Sequence, residues 1–270
     1  MRALPLAAAL ATVGCAGIPA PKYPIADAGQ LLSRHEAISS QLNGIRAEAR
    51  VDQRGEQGRV RGTVLMFVER SSRVRFDVMT QFGPIAILTS DGTHFAFSDL
   101  REKKYLTGET CPQNIARLLG VPLSAADTAH FLLGGTPIIE HSNGTLTWND
   151  DGYYTAVLHG AGGARQELDF QLDPSDTEAQ PGAQRVALLR TELFDAKGVR
   201  VWRVSYDDLR EVSGGGAKLR LPFTVRVEQT ASQSDTQIKF KELAVNPKFA
   251  DEIFVQSPRE GMLEEEASCE

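Results

Sequence analysis

Three cysteines, five histidines and two tryptophans are all this 270-residue chain offers of the residues that most often carry metal, nucleophilic or stacking chemistry. Aromatic residues make up only 7%, so base-stacking or sugar-stacking platforms do not dominate. The net charge of -6 argues against nucleic acid as the main partner. His35, His94, His130, His141 and His159 are scattered, without the close pairing that zinc sites use. No Gly-x-Ser-x-Gly nucleophile turn occurs. Gly160-Ala161-Gly162-Gly163 lacks the Lys-Ser/Thr of a phosphate loop and reads as a hairpin loop, and Gly214-Gly215-Gly216 reads as a flexible connection. Asp150-Asp151 adjoins Gly152 in a turn, and Asp207-Asp208 closes a strand. The expectation is therefore no enzyme, no catalytic residue, no metal and no cofactor. A long hydrophobic run is missing too: the longest, Ala3 to Val13, is about half the 20 or so residues that span a bilayer.

That short run, with Arg2 before it and Gly14-Cys15 after it, reads as a bacterial lipoprotein signal peptide over residues 1–14, with Cys15 as the site of lipid attachment. Gly14 supplies the small residue such a cleavage site wants, whereas Thr12 stands where a leucine is usual; a soluble secreted protein is the competing reading. Removing Arg2 with the leader takes the net charge from -6 to -7. Ala16, directly after the anchor, fits sorting to the outer membrane, since an Asp there would favour retention at the inner one. With Cys15 acylated, only Cys111 and Cys269 remain. Cys269 lies in an acidic, frayed-looking tail over residues 259–270, so two free thiols are expected, although a disulfide is chemically possible in an oxidising periplasm.

Residues 15–26 hold three prolines after the anchor and read as an extended tether. One folded domain is expected over residues 27–258. Asp27 caps an amphipathic helix carrying Leu31, Leu32, His35, Ile38 and Leu42 at helical spacing, ending at Asn43-Gly44. Strand-like alternation follows over Ile45–Arg54, Arg59–Glu69 and Val74–Met79, then Ile85–Ser90 and His94–Ser98 around an Asp91-Gly92 turn, then Lys104–Thr107. Pro112–Leu119 and Ala125–Leu133 have helical periodicity, and further strand segments run from Leu146 to Leu243, with turn signals at Asn143-Gly144 and Asp151-Gly152. The class is mainly β: an unclosed, strongly curved antiparallel half-barrel of about eleven strands, its concave face covered by an N-terminal helix and two mid-chain helices. Arg59–Val68 is apolar on both faces, Val60, Val64, Met66 and Val68 on one and Leu65 and Phe67 on the other; a two-layer sandwich with scattered surface apolar residues is the competing explanation.

Two stretches resemble the outer-membrane lipoprotein receptor family, the LolB type of the LolA/LolB-like superfamily. One is Val74-Arg75-Phe76-Asp77-Val78-Met79-Thr80-Gln81-Phe82-Gly83 running into Ile85-Ala86-Ile87-Leu88. The other is Ile115-Ala116-Arg117-Leu118-Leu119-Gly120-Val121-Pro122-Leu123, followed by Phe131-Leu132-Leu133-Gly134-Gly135. The resemblance covers roughly residues 27–137. It implies an apolar cavity, lidded by helices, that accepts the acyl chains of lipoproteins from a soluble periplasmic LolA-type carrier. Each buried CH₂ is worth about 0.8 kcal/mol, so a long acyl chain must be shielded in transit. It also implies that an apolar residue after the early strands enters the membrane; Phe82, followed by Gly83, stands where the family has a leucine. Phe82 packed under its own loop is the equal alternative.

Val64, Met66, Val74, Phe76, Val78, Leu118, Leu119, Phe131 and Leu132 are the candidates for the cavity wall, and whether they line a cavity or fill a solid core is open. The implied protein is a monomer, lipid-anchored at the periplasmic face of the outer membrane of a Gram-negative bacterium. Its partners are acyl chains of lipoproteins or other lipids. Asp173–Gly182 reads as an insertion, and the ending from Asn246 to Gly261 is closer to the carrier type, so a relative that binds another hydrophobic ligand stays open. So does a structural envelope protein that uses the sheet as a platform.

Overall fold

The structure, a computed structural model, describes residues 17–55, 58–120 and 122–269. Cys15, Ala16 and Val121 lie outside them.

Asp27 accepts a hydrogen bond from the Gln30 N–H at 2.8 Å and opens α1 (Ala28–Ser39). The helix ends before the expected Asn43-Gly44 because Arg70 reaches over and donates to the Ser39 and Leu42 carbonyls, while the Asn246 side chain holds Gln41 and Asn43. Six strands follow: β1 (Gly44–Gly55), β2 (Gly58–Glu69), β3 (Arg73–Thr80), β4 (Gly83–Ser90), β5 (His94–Asp99) and β6 (Lys104–Glu109). Pro112 starts α2 (Pro112–Leu119) and Ser124 caps α3 (Ala125–Leu132), accepting from the Asp127 N–H. The second run comprises β7 (His141–Asn149), β8 (Tyr153–Gly160), β9 (Arg165–Leu172), β10 (Val186–Phe194), β11 (Arg200–Gly214), β12 (Ala217–Gln229) and β13 (Ser234–Val245), and the chain ends in β14 (Leu263–Ala267).

All of these strands join one unclosed sheet of 14, not about eleven, in the order β14-β6-β5-β4-β3-β2-β1-β13-β12-β11-β10-β9-β8-β7. Part of the surplus comes from the acidic tail. Leu263–Ala267 pairs in parallel with Lys104–Gly108, and Cys269 is disulfide-bonded to Cys111, which corrects the expectation of free thiols and of a frayed end. Asn143-Gly144 is no turn either, but the interior of β7. A Cβ on Gly144 would come within 2.8 Å of Leu158 and 3.1 Å of Ala28, so the glycine lets α1 approach the sheet. Likewise β11 runs on past Asp207-Asp208 to Gly214.

Successive turns of an antiparallel meander open on alternate rims. One rim carries the connections 70–72, 150–152 and 173–185; the other carries 81–82, 161–164, 195–199 and 230–233. On the inner face Val64, Met66 and Val68 lie opposite Val78, Phe76 and Val74. There α3 packs over β2 and β3, and α1 over β7, β8 and β10.

The outer face divides in two. Over β9 to β12 it is a charged ladder in which Glu192, 4% exposed, meets Arg190, Arg200 and Arg203. Over β2 to β5 it mixes apolar side chains with the Arg73–Glu69 and Arg75–Asp77 pairs and is covered by residues 249–256. Phe249 meets Phe67 and Phe254 edge-on, and Gln256 donates to the Ile87 and Ala96 carbonyls. That strap is why Arg59–Val68 is apolar on both faces. Residues 17–26, expected as a free tether, lie against the fold: the Ile18 N–H donates to Asp150 O at 2.7 Å, Trp148 Nε1 to Ile18 O, Gln184 Nε2 to Tyr23 O, and the Ile25 N–H to the Tyr154 hydroxyl.

Candidate functional site

The β3–β4 turn has two residues, Gln81 and Phe82. Thr80 Oγ1 accepts from the Phe82 N–H at 3.2 Å and donates to the Gly83 carbonyl at 2.9 Å, while Gly83 takes φ 115°, a value open to glycine. On this turn Phe82 is 91% exposed. The alternative of Phe82 packed under its own loop is thereby settled in favour of projection.

Val64, Met66, Val74, Phe76, Val78, Leu118, Phe131 and Leu132 all belong to one contiguous apolar cluster. The Leu119 side chain lies outside the described residues. Of the cluster members proposed for a cavity wall, Phe131 and Leu132 border open space in the described residues: a void of about 20 Å³ shared with Leu123, Thr128, Val225 and Ile238. Beneath α3 the buried side chains of Ala129, Phe131 and Leu132 take up the space. Phe131, for example, meets Trp202 edge-on with ring centres 5.4 Å apart. An acyl chain enters under α3 only if that helix shifts.

Larger hollows flank α1, and the sequence reading did not foresee them. A groove of about 480 Å³ lies between α1 and the strand-free segment after α3, lined by Leu32, His35, Arg70, His130, Leu133 and Ile138. That size is within the range usual for small-ligand sites. A second hollow of about 270 Å³ is lined by Arg34, Ile38, Arg185, Glu211, Lys218 and Arg220. The available signal was α1 itself, whose apolar repeat includes His35 and is flanked by Arg34. Among the described residues no three His, Cys, Asp or Glu side chains converge to hold a metal, and no helix is long and apolar enough to cross a membrane.

His35 stacks edge-on against Phe170 at 5.0 Å, and its buried Nδ1 has no hydrogen-bond partner. Burial first, and the Arg70 charge second, push its pKa down from 6.5 to about 4, against an opposing backbone hydrogen bond at Val186. Between those values the unfolded chain carries a proton that the folded chain refuses. The stability present above pH 6.5 is therefore lost progressively down to about pH 4, by up to about 3 kcal/mol. Urea unfolding across that range should show the slope, and His35→Gln should flatten it; an unchanged slope in the variant would assign the acid sensitivity elsewhere.

No protein-family model matches the chain, and no curated protein matches it. Solved structures do. A LolA superfamily protein from Nitrosomonas europaea aligns with a TM-score of 0.53 at 12% identity, over 86% of this chain and 99% of its own. A Vibrio parahaemolyticus domain named as an outer membrane lipoprotein-sorting protein aligns at 0.52 and 10%, over 83% and 94%. A DUF1329 family protein from Desulfovibrio piger aligns at 0.52 and 13%, over 84% and 96%. At these identities the likeness is one of fold alone.

Proposed function

We propose that this protein is a non-enzymatic acceptor of acyl chains, lipid-anchored through Cys15 at the periplasmic face of the outer membrane, which takes lipoproteins from a soluble LolA-type carrier and places them in the bilayer. The observation that carries this reading is Phe82. An aromatic ring left 91% exposed on a rigid two-residue turn, in a domain whose other large aromatics are mostly buried, is suited to entering a bilayer. The fold supports it, because helices over an apolar sheet face can part to receive a chain and close again without a nucleotide. Transfer then needs only that each successive site bind more tightly than the last.

The test uses the Cys15→Ser chain, which removes the anchor, with liposomes of outer-membrane phospholipid composition. Burying the Phe82 ring contributes about 1.5–3 kcal/mol, so Phe82→Glu should weaken flotation with vesicles by roughly tenfold or more, and Phe82→Leu should preserve most of it. Equal flotation of the Glu variant would remove the membrane role from this turn. In the anchored protein, the same Glu variant should still take up an acylated peptide but fail to deliver it.

A further inference from the structure

The two hollows beside α1 each share lining residues with a third space. Between them lies a narrow void of about 30 Å³, whose lining shares His35, Ser39 and Leu133 with the larger groove and Ile38, Val186 and Arg220 with the smaller hollow. The three form one path beneath a single helix, and α1 fully buries only Ala28 and Leu31 of its own residues. The character of the path changes along its length. The groove of about 480 Å³ exposes mostly apolar surface, with Leu32, Leu133 and Ile138 beside His35, His130 and the paired Glu36 and Arg70, whereas the hollow of about 270 Å³ collects Arg34, Arg185, Lys218 and Arg220 against Asp173 and Glu211.

The acids are already used. Asp173 lies 3.5 Å from Arg185, which also pairs with Asp176 at 2.9 Å, and Glu211 holds Lys218 at 2.9 Å. Arg34 donates Nε to the Gln184 carbonyl at 2.5 Å and makes no ion pair among the described residues. Arg220 keeps a buried Nη1 without any hydrogen-bond partner. Two guanidinium groups therefore stand beside this path without an ion pair of their own among the described residues, Glu211, the cross-strand neighbour of Arg220, being held by Lys218. A buried cationic N–H left unpaired is costly, and an anionic oxygen is the partner that best relieves it.

We propose that this path binds a single-chain anionic amphiphile, its phosphate or carboxylate head held by Arg220 and Arg34 and its hydrocarbon tail running under His35 into the groove at Leu133. The proposal rests on the acyl-binding reading above and specifies where the ligand lies and what head it carries. His35, held neutral by its surroundings, suits the tail portion of the path.

The delipidated full-length chain is titrated with oleate, with lysophosphatidic acid and with oleyl alcohol, all below their aggregation concentrations. The anions should bind at least about tenfold more tightly than the alcohol, and Arg220→Gln should erase that preference while leaving alcohol binding unchanged. Lysophosphatidic acid tighter than oleate assigns a phosphate head; equal binding of the two assigns a carboxylate as sufficient. Should Arg220→Gln fail to fold, Lys218→Gln, on the solvent side of the hollow, should lower the preference several-fold. Oleyl alcohol binding as tightly as the anions, or a preference that survives Arg220→Gln, overturns the proposal and leaves acyl binding intact. Loss of all three ligands from the native chain overturns acyl binding itself.

Discussion

Reduction of the Cys111–Cys269 bond, or its removal by Cys269→Ser, should lower the unfolding free energy by about 5 kcal/mol and the melting temperature by roughly 10–20 °C. The size follows from the 158-residue separation the bond closes, which removes a large share of the unfolded chain's freedom. Locally, the bond ties two elements with little else to hold them. β14 carries Glu264, Glu265 and Glu266, all exposed, and its one buried residue is Ala267. Cys111 in turn is the N-cap of α2 and offers no side-chain capping bond. Without the bond, amides of β14 and of the first turn of α2 should exchange fastest, while the fully buried Asn114, which donates to the Glu109 carbonyl beside Cys269, would lose its enclosure. Urea melts with and without reductant measure the loss. A loss below about 1 kcal/mol would mean that the acidic strand is held by its pairing with β6 alone.

Phe76→Ala should cost about 3–5 kcal/mol. Phe76 has no exposed surface, lies opposite Met66 on one side and Leu88 on the other, and sits on the strand over which α3 packs. No small neighbour is positioned to collapse into the space its ring would leave. The void should also favour entry of an acyl chain, so the variant should lose stability while taking up oleyl alcohol at least as well as the parent. A cost below about 1 kcal/mol would show that the inner face is loosely filled in solution.

Most of the architecture is written in local chemistry. Pro112 and Gly120 bracket α2, Ser124 starts α3, and alternation with Asp91-Gly92 gives the β4–β5 hairpin, each at or near its expected bounds. What escaped depended on distant partners. Leu263–Ala267 has no strand pattern of its own, and its pairing is fixed by a bond to a residue 158 positions away. Asn143-Gly144 carries a turn signature yet serves close packing against Ala28. The candidate site was legible as a set of apolar residues that do gather on one face. Their partition between filler and wall was not, because it depends on how far Phe131 and Leu132 intrude from the lid. The α1 path escaped for the same reason: it is formed by residues from seven separate segments, none of which signals it alone.

The docking of residues 17–26 would set the reach of the proposed membrane anchor. Ile18 is bonded at the 150–152 rim, whereas Phe82 stands on the opposite one. From Ile18 back to Cys15 the chain extends at most about 10 Å, so an acylated Cys15 would hold the first rim against the lipid and aim Phe82 away from it. For both to enter the same bilayer, the bonds at Ile18, Lys22, Tyr23 and Ile25 must release, which lengthens the leash to roughly 35–40 Å. In the anchored protein proposed above, the N-terminal segment would thus act as a latch on orientation: fastened, it would turn the aromatic rim away from the bilayer; unfastened, it would let the molecule capsize and touch down on that rim.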